Sequence, residues 1–119
     1  MNKPKEPFSV LLVDSDETFF SQIKEELTHE SEHPAHLDIS RTVTEAIEKM
    51  KRVHYHVILA SDDFPNGEDI SDILEDMNSR KVSTPLIVMV PQGQEARAHR
   101  SVKRGATDYL IKNELGLRN

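Results

Sequence analysis

Three strand-length apolar runs, separated by stretches with helical spacing, constrain the fold of this chain most. They are Phe8-Ser9-Val10-Leu11-Leu12-Val13, Val57-Ile58-Leu59-Ala60 and Leu86-Ile87-Val88-Met89-Val90. Each is rich in branched residues and is followed at once by Asp, Ser or Pro. Near-continuous runs of this kind read as strands buried on both faces, which points to a parallel sheet covered by helices. Leu37-Asp38-Ile39-Ser40 alternates instead, as an edge strand does, and Tyr109-Leu110-Ile111 is a short fifth candidate.

Helical patterns fill the intervals. After Asp14-Ser15-Asp16, the residues Phe19, Phe20, Ile23 and Leu27 recur on one face, with Asp16 as the expected cap. Thr44 to Lys51 places Ala46, Ile47 and Met50 on one side, with Thr44 as the cap candidate. Ile70, Ile73, Leu74 and Met77 mark a third helix, and a fourth runs from about Gln94 to Arg104 before Gly105 stops it. Strand and helix thus alternate four times and end on a strand, the order of a three-layer, doubly wound α/β domain with right-handed crossovers.

One domain accounts for the 119 residues, with enough chain to bury a core without disulfides, and there is no cysteine. Residues 1–7 read as a flexible polar N-terminus without the apolar core of a signal peptide. No run approaches the roughly 20 apolar residues that span a bilayer, so a soluble, cytoplasmic protein away from membranes is expected. Residues 113–119 read as the start of an incomplete last helix, with Leu115 and Leu117 where it would begin. The fifth helix is therefore expected to be truncated or absent, as in a piece of a longer protein with an output domain. An apolar patch left bare there would be able to drive dimerisation.

The formal net charge of −6 weighs against nucleic-acid binding by this domain. Basic residues nevertheless crowd into one segment: Arg97, His99, Arg100, Lys103 and Arg104. Two readings stand, a solvated helix face and a docking surface for an acidic protein partner. His29-Glu30-Ser31-Glu32-His33 spells a zinc-hydrolase signature, but Pro34 disfavours helical geometry at His33, and both histidines must share one helical face to hold zinc. Asp14, Asp16, Asp62 and Asp63 form an acidic set that reads more simply as a vestigial acidic mouth than as a calcium or acid/base site.

The motifs at the strand ends carry a resemblance. Val10-Leu11-Leu12-Val13-Asp14, Ser61-Asp62-Asp63-Phe64-Pro65, Thr84-Pro85 and Gly105-Ala106-Thr107-Asp108-Tyr109-Leu110-Ile111-Lys112 together resemble the response-regulator receiver family. The resemblance implies a flavodoxin-like five-stranded sheet of order 2-1-3-4-5, with its site at the C-terminal ends of the first and third strands. It also implies a centre built from two acids, an acceptor aspartate, a hydroxyl residue and a lysine. There a divalent cation is held by carboxylates and neutralises the transferring phosphoryl group.

Mapped onto that centre, the match is partial. Asp14 retains the first acid, and Ser15 stands where the metal-binding second acid is expected. Ser61 occupies the acceptor position, where a hydroxyl cannot form an acyl phosphate. Asp63 falls where the family offers a backbone carbonyl. Val90 replaces the hydroxyl residue that senses phosphate, while Tyr109 and Lys112 match the switch aromatic and the lysine. Asp16, beside this set, completes the vestigial pocket. Losses on three separate segments imply a degenerate pseudo-receiver: non-enzymatic, without phosphoacceptor, metal or cofactor, and held in one state by an Asp14–Lys112 pair. It would act on a protein partner such as a histidine kinase or output domain through Arg97, Arg100, Lys103, Arg104 and Tyr109. The alternative is a working receiver phosphorylated on Asp62 or Asp63 with Mg2+. A zinc hydrolase using His29 and His33 is the remote third reading.

Overall fold

The computed structural model describes residues 8–28, 36–62, 64–113 and 116–118. The stretch 1–7, His29, His33 and Asp63 lie outside the described residues. Along the chain run β1 (Ser9–Val13), α1 (Glu17–Thr28), β2 (His36–Ser40), α2 (Val43–Arg52), β3 (Val57–Ser61) and α3 (Ile70–Ser79). They are followed by β4 (Leu86–Pro91), α4 (Glu95–Lys103), β5 (Asp108–Asn113) and β6 (Gly116–Arg118). Five strands are parallel in the order β2-β1-β3-β4-β5, the doubly wound arrangement that the apolar runs predict. The central strands β1, β3 and β4 lie between helical layers, so each of their apolar runs serves two cores.

The period of two along the strands divides those cores cleanly. Leu11, Val13, Ile58, Ala60, Val88 and Val90 point toward α2, α3 and α4, where Val43, Ala46, Ile73 and Ala98 meet them. Val10, Leu12, Leu59 and Met89 point the other way, against Phe19, Phe20 and Ile23 of α1. Full burial of one such side chain contributes about 1.5–3 kcal/mol, so the central strands are the most strongly fixed part of the molecule. The edge strand β2 is tied in by a different means. The Tyr55 hydroxyl, just before β3, donates to Asp38 Oδ2 at 2.6 Å. Burial, with the adjacent carboxylate, pushes that phenol well above its ordinary value.

Local chemistry sets the helix starts. Asp16 caps α1 as expected, its Oδ1 accepting from Thr18 N at 3.0 Å and Phe19 N at 3.3 Å. The start of α2 differs from the sequence expectation. Thr42, not Thr44, is the cap and accepts from Glu45 N at 3.1 Å. Val43 is buried, and drawing it into the core makes it the first helical residue, which moves the cap back to Thr42. Asp69 and Asp72 form a reciprocal capping box on α3. Gly105 closes α4 with φ of 125°, a conformation that other residues adopt only at a cost.

The last segment corrects a second expectation. Gly116–Arg118 does not begin a helix but returns antiparallel along β5, with Ile111 opposite Arg118 and Asn113 opposite Gly116. Two positions separate those partners, the spacing of a tight hairpin. A helix this short is marginal on its own. Pairing instead satisfies the open backbone groups along the edge of β5. Among the described residues there is no fifth helix.

Candidate functional site

The C-terminal ends of β1, β3, β4 and β5 converge at one rim of the sheet. Asp14 follows β1, and its backbone N–H donates to Ser40 O at 2.9 Å, which fixes the strand end. Its side chain is 4 % exposed, so an ionised carboxylate there needs compensation. Two groups supply it. Asp16 N donates to Oδ1 at 3.1 Å, and the Lys112 ammonium, at the end of β5, donates directly to Oδ2. The same ammonium lies 4.7 Å from the centre of the Phe19 ring, on the face that carries negative charge density. Lys112 is thus held by an anion and an aromatic at once.

Around this pair the donors for a hard cation are few. Ser15 is exposed and carries no carboxylate, and Asp16 is committed to the α1 cap. Divalent cations of the magnesium type take oxygen ligands, principally carboxylates. Among the described residues, the one buried carboxylate beside Lys112 already faces that ammonium, which leaves this part of the donor set a poor fit to the ion. Among the described residues no three His, Asp or Glu side chains converge as a metal centre requires. Val90 is fully buried within the α2–α3–α4 core and presents only methyl groups.

Ser61 ends β3 and is buried, on the same strand face as Leu59 and hence on the α1 side. Asp62, one residue on, points to the opposite side, as the alternation of a strand requires. Its carboxylate is buried and forms a bidentate ion pair with Arg97 of α4, with Arg97 Nη2 donating to Oδ1 at 2.6 Å. Arg97 reaches inward to make this contact, whereas Arg100, Lys103 and Arg104 are exposed. Tyr109 is half-buried and meets His99 edge-on, with ring centres 5.5 Å apart.

The loop after β3 is pinned from a third direction. Glu68 accepts from the Thr44 hydroxyl at 2.7 Å and from the Val43 and Thr44 backbone N–H groups at the start of α2. Hydrogen bonds from Asn66, then from Thr44, hold its carboxyl below the ordinary carboxylate value. Neither Glu68 nor the Asp62–Arg97 pair is apparent from sequence spacing. The partners lie 24 to 35 positions apart, and only the folded sheet brings them together.

A strand-end rim with an acid after β1, a lysine at the end of β5 and a Pro-broken loop after β3 is a family arrangement. The family model for the response regulator receiver domain matches residues 10–115. This chain belongs to the receiver domain family. Receiver domains are typically non-enzymatic signalling modules of two-component systems, and they interact with proteins such as kinases and output domains. Solved receivers share the fold. The beryllofluoride-activated NtrC4 receiver domain dimer is 28% identical over 88% of this chain and 84% of its own, with a TM-score of 0.75. A CheY-like receiver domain protein from Methanospirillum hungatei JF-1 is 20% identical, covering 90% of this chain and 82% of that one at a TM-score of 0.75. The Francisella response regulator 1452 receiver domain is 22% identical, covering 87% and 83% at 0.71. No curated protein matches the chain.

Within the receiver frame, Asp14, Ser61 and Lys112 gather at one rim, Val90 is enclosed in the core, and Asp62 is drawn to the far face. No described helix is long and apolar enough to cross a membrane.

Proposed function

We propose that this receiver works as a phosphorylation-independent signalling module of the cytoplasm, binding protein partners in one fixed state and catalysing nothing itself. The observation that carries the reading is the direct Lys112–Asp14 contact. An ammonium on the first acid does the charge neutralisation that a bound cation would otherwise supply, and it removes the need for one. Ser61 lacks the carboxylate that an acyl phosphate requires, and Val90 lacks the hydroxyl that would sense it. The β3–α3 loop and α4 are held instead by the Asp62–Arg97 pair and by Glu68.

Two further features favour this reading over phosphorylation of a neighbouring aspartate. Asp62 faces away from Lys112, and both its oxygens are engaged by a guanidinium. Asp63 lies outside the described residues, as do His29 and His33, and nothing in the fold or the comparisons favours a zinc hydrolase. The partner, a kinase or an output domain of the same pathway, would dock on α4 and β5, where Arg100, Lys103 and Arg104 accompany Tyr109. A second copy is an alternative partner, given that the NtrC4 receiver was solved as a dimer.

Thermal melting with and without magnesium tests the fixed-state claim. The expected result is the same melting temperature in both, since Lys112 already neutralises Asp14. Marked stabilisation by the metal would overturn the claim.

A further inference from the structure

The basic segment of α4 divides into two faces. Ala98 and Ser101 are buried against the sheet, and His99 turns toward β5 and Tyr109. Arg97, Arg100 and Arg104 recur at three- and four-residue spacing and border a groove toward α3. Its upper part, of about 240 Å3, runs past Asp69 and Ile70. Arg104 also borders the lower part, of about 720 Å3, and is the one lining residue that the two parts share. Leu74, Met77 and Leu86 floor that lower part, and Glu75 stands on its α3 rim.

The chemistry of this groove is asymmetric. Arg97 is committed to Asp62, and Asp69 to capping α3. Arg100 and Arg104 are exposed, and among the described residues neither guanidinium is paired with a carboxylate. The chain has 21 acidic residues against 15 Lys and Arg, so two adjacent arginines without an acid are a local exception to its charge. One helical turn separates them, about 6 Å along the axis. Two carboxylates four residues apart on a docked helix have that same spacing.

We propose that the α3–α4 groove docks an amphipathic segment of a protein partner. An apolar side chain of the segment would enter over Leu74, Met77 and Leu86, and paired carboxylates would meet Arg100 and Arg104. A cavity of this size lies in the range of about 300–1,000 Å3 that ligand sites occupy, with apolar contacts for affinity and a few charges for orientation. The flank of the segment that faces Glu75 carries neutral or basic residues, which sets its direction across the groove. His99 and Tyr109 lie outside the groove, but Arg100 and Arg104 border it and the α4–β5 face alike, so partners on the two faces would compete for these arginines. The proposal rests on the reading that this receiver acts through protein partners.

The test is a titration of methyl- and amide-labelled protein, followed by NMR, with two short synthetic amphipathic helices. One presents a leucine and a pair of glutamates one turn apart; its twin has lysines in their place. The glutamate peptide is expected to shift Leu74, Met77, Leu86 and Arg104 saturably, while the lysine twin does not. The variant R100E/R104E, at two exposed positions and checked for an unchanged melting temperature, should weaken the glutamate peptide on the order of tenfold and reverse the preference. Equal binding of the two peptides, no saturation, or concentration-dependent self-association at these methyls would each overturn the groove. A separate exposure to acetyl phosphate and magnesium distinguishes the two claims. An aspartyl adduct there overturns the phosphorylation-independent reading alone, whereas charge-blind peptide binding overturns the groove alone.

Discussion

Two buried carboxylates carry most of the mechanism at the scale of single residues. Asp14 and Asp62 lie close together in the fold but on opposite faces of the sheet, and each has its own cation, Lys112 and Arg97. An ion pair of this kind contributes little net stability relative to apolar replacement, because both charges lose water. Removing one partner is different. Replacing Arg97→Ala leaves Asp62, with a side chain 6 % exposed, as an uncompensated anion. A loss of about 3 kcal/mol is expected, read as a fall in the urea midpoint. The double replacement of Asp62→Leu with Arg97→Met should recover most of it. If the single and double variants were equally destabilised, packing rather than charge would be the cause.

At the scale of elements, the loop between β3 and α3 is the part a receiver would move, and here it is fastened. Glu68 joins it to the start of α2, and its carboxyl titrates below the ordinary value of 4.5. A carboxylate depressed in the folded state stabilises the protein above its unfolded value, and that contribution fades as pH falls through the folded one. Glu68→Gln should therefore lower the denaturant midpoint at neutral pH, with the gap to the parent closing in acid. Because Glu68 is part-exposed, the difference at neutral pH will be small. A gap that widened in acid would contradict the assignment.

The strands and helices themselves were legible in the sequence, because burial on both faces writes continuous apolar runs and helices write a 3.6-residue period. The start of α2 was not legible, since Thr42 and Thr44 both make good caps and only the burial of Val43 decides between them. Nor was β6, whose pairing depends on the open edge of β5 rather than on its own residues. The site was half legible. Strand alternation counted from Ser61 puts Asp62 on the far face, but nothing in the sequence names Arg97 as the group waiting there.

For the whole molecule, the five-stranded receiver sheet is retained, and on the proposed reading internal ion pairs stand in for its phosphate chemistry. The absences are spread over β1, β3 and β4, so restoring one should not restore the switch. Ser61→Asp alone is expected to leave the NMR spectrum insensitive to beryllofluoride and magnesium, since Ser15 and Val90 remain. Full switching in that variant would mean that the acceptor was the only missing part. The most direct measurement is the intact mass of the unaltered protein after incubation with acetyl phosphate and magnesium. An unchanged mass is predicted, whereas a stable phosphoryl adduct on an aspartate would contradict the account.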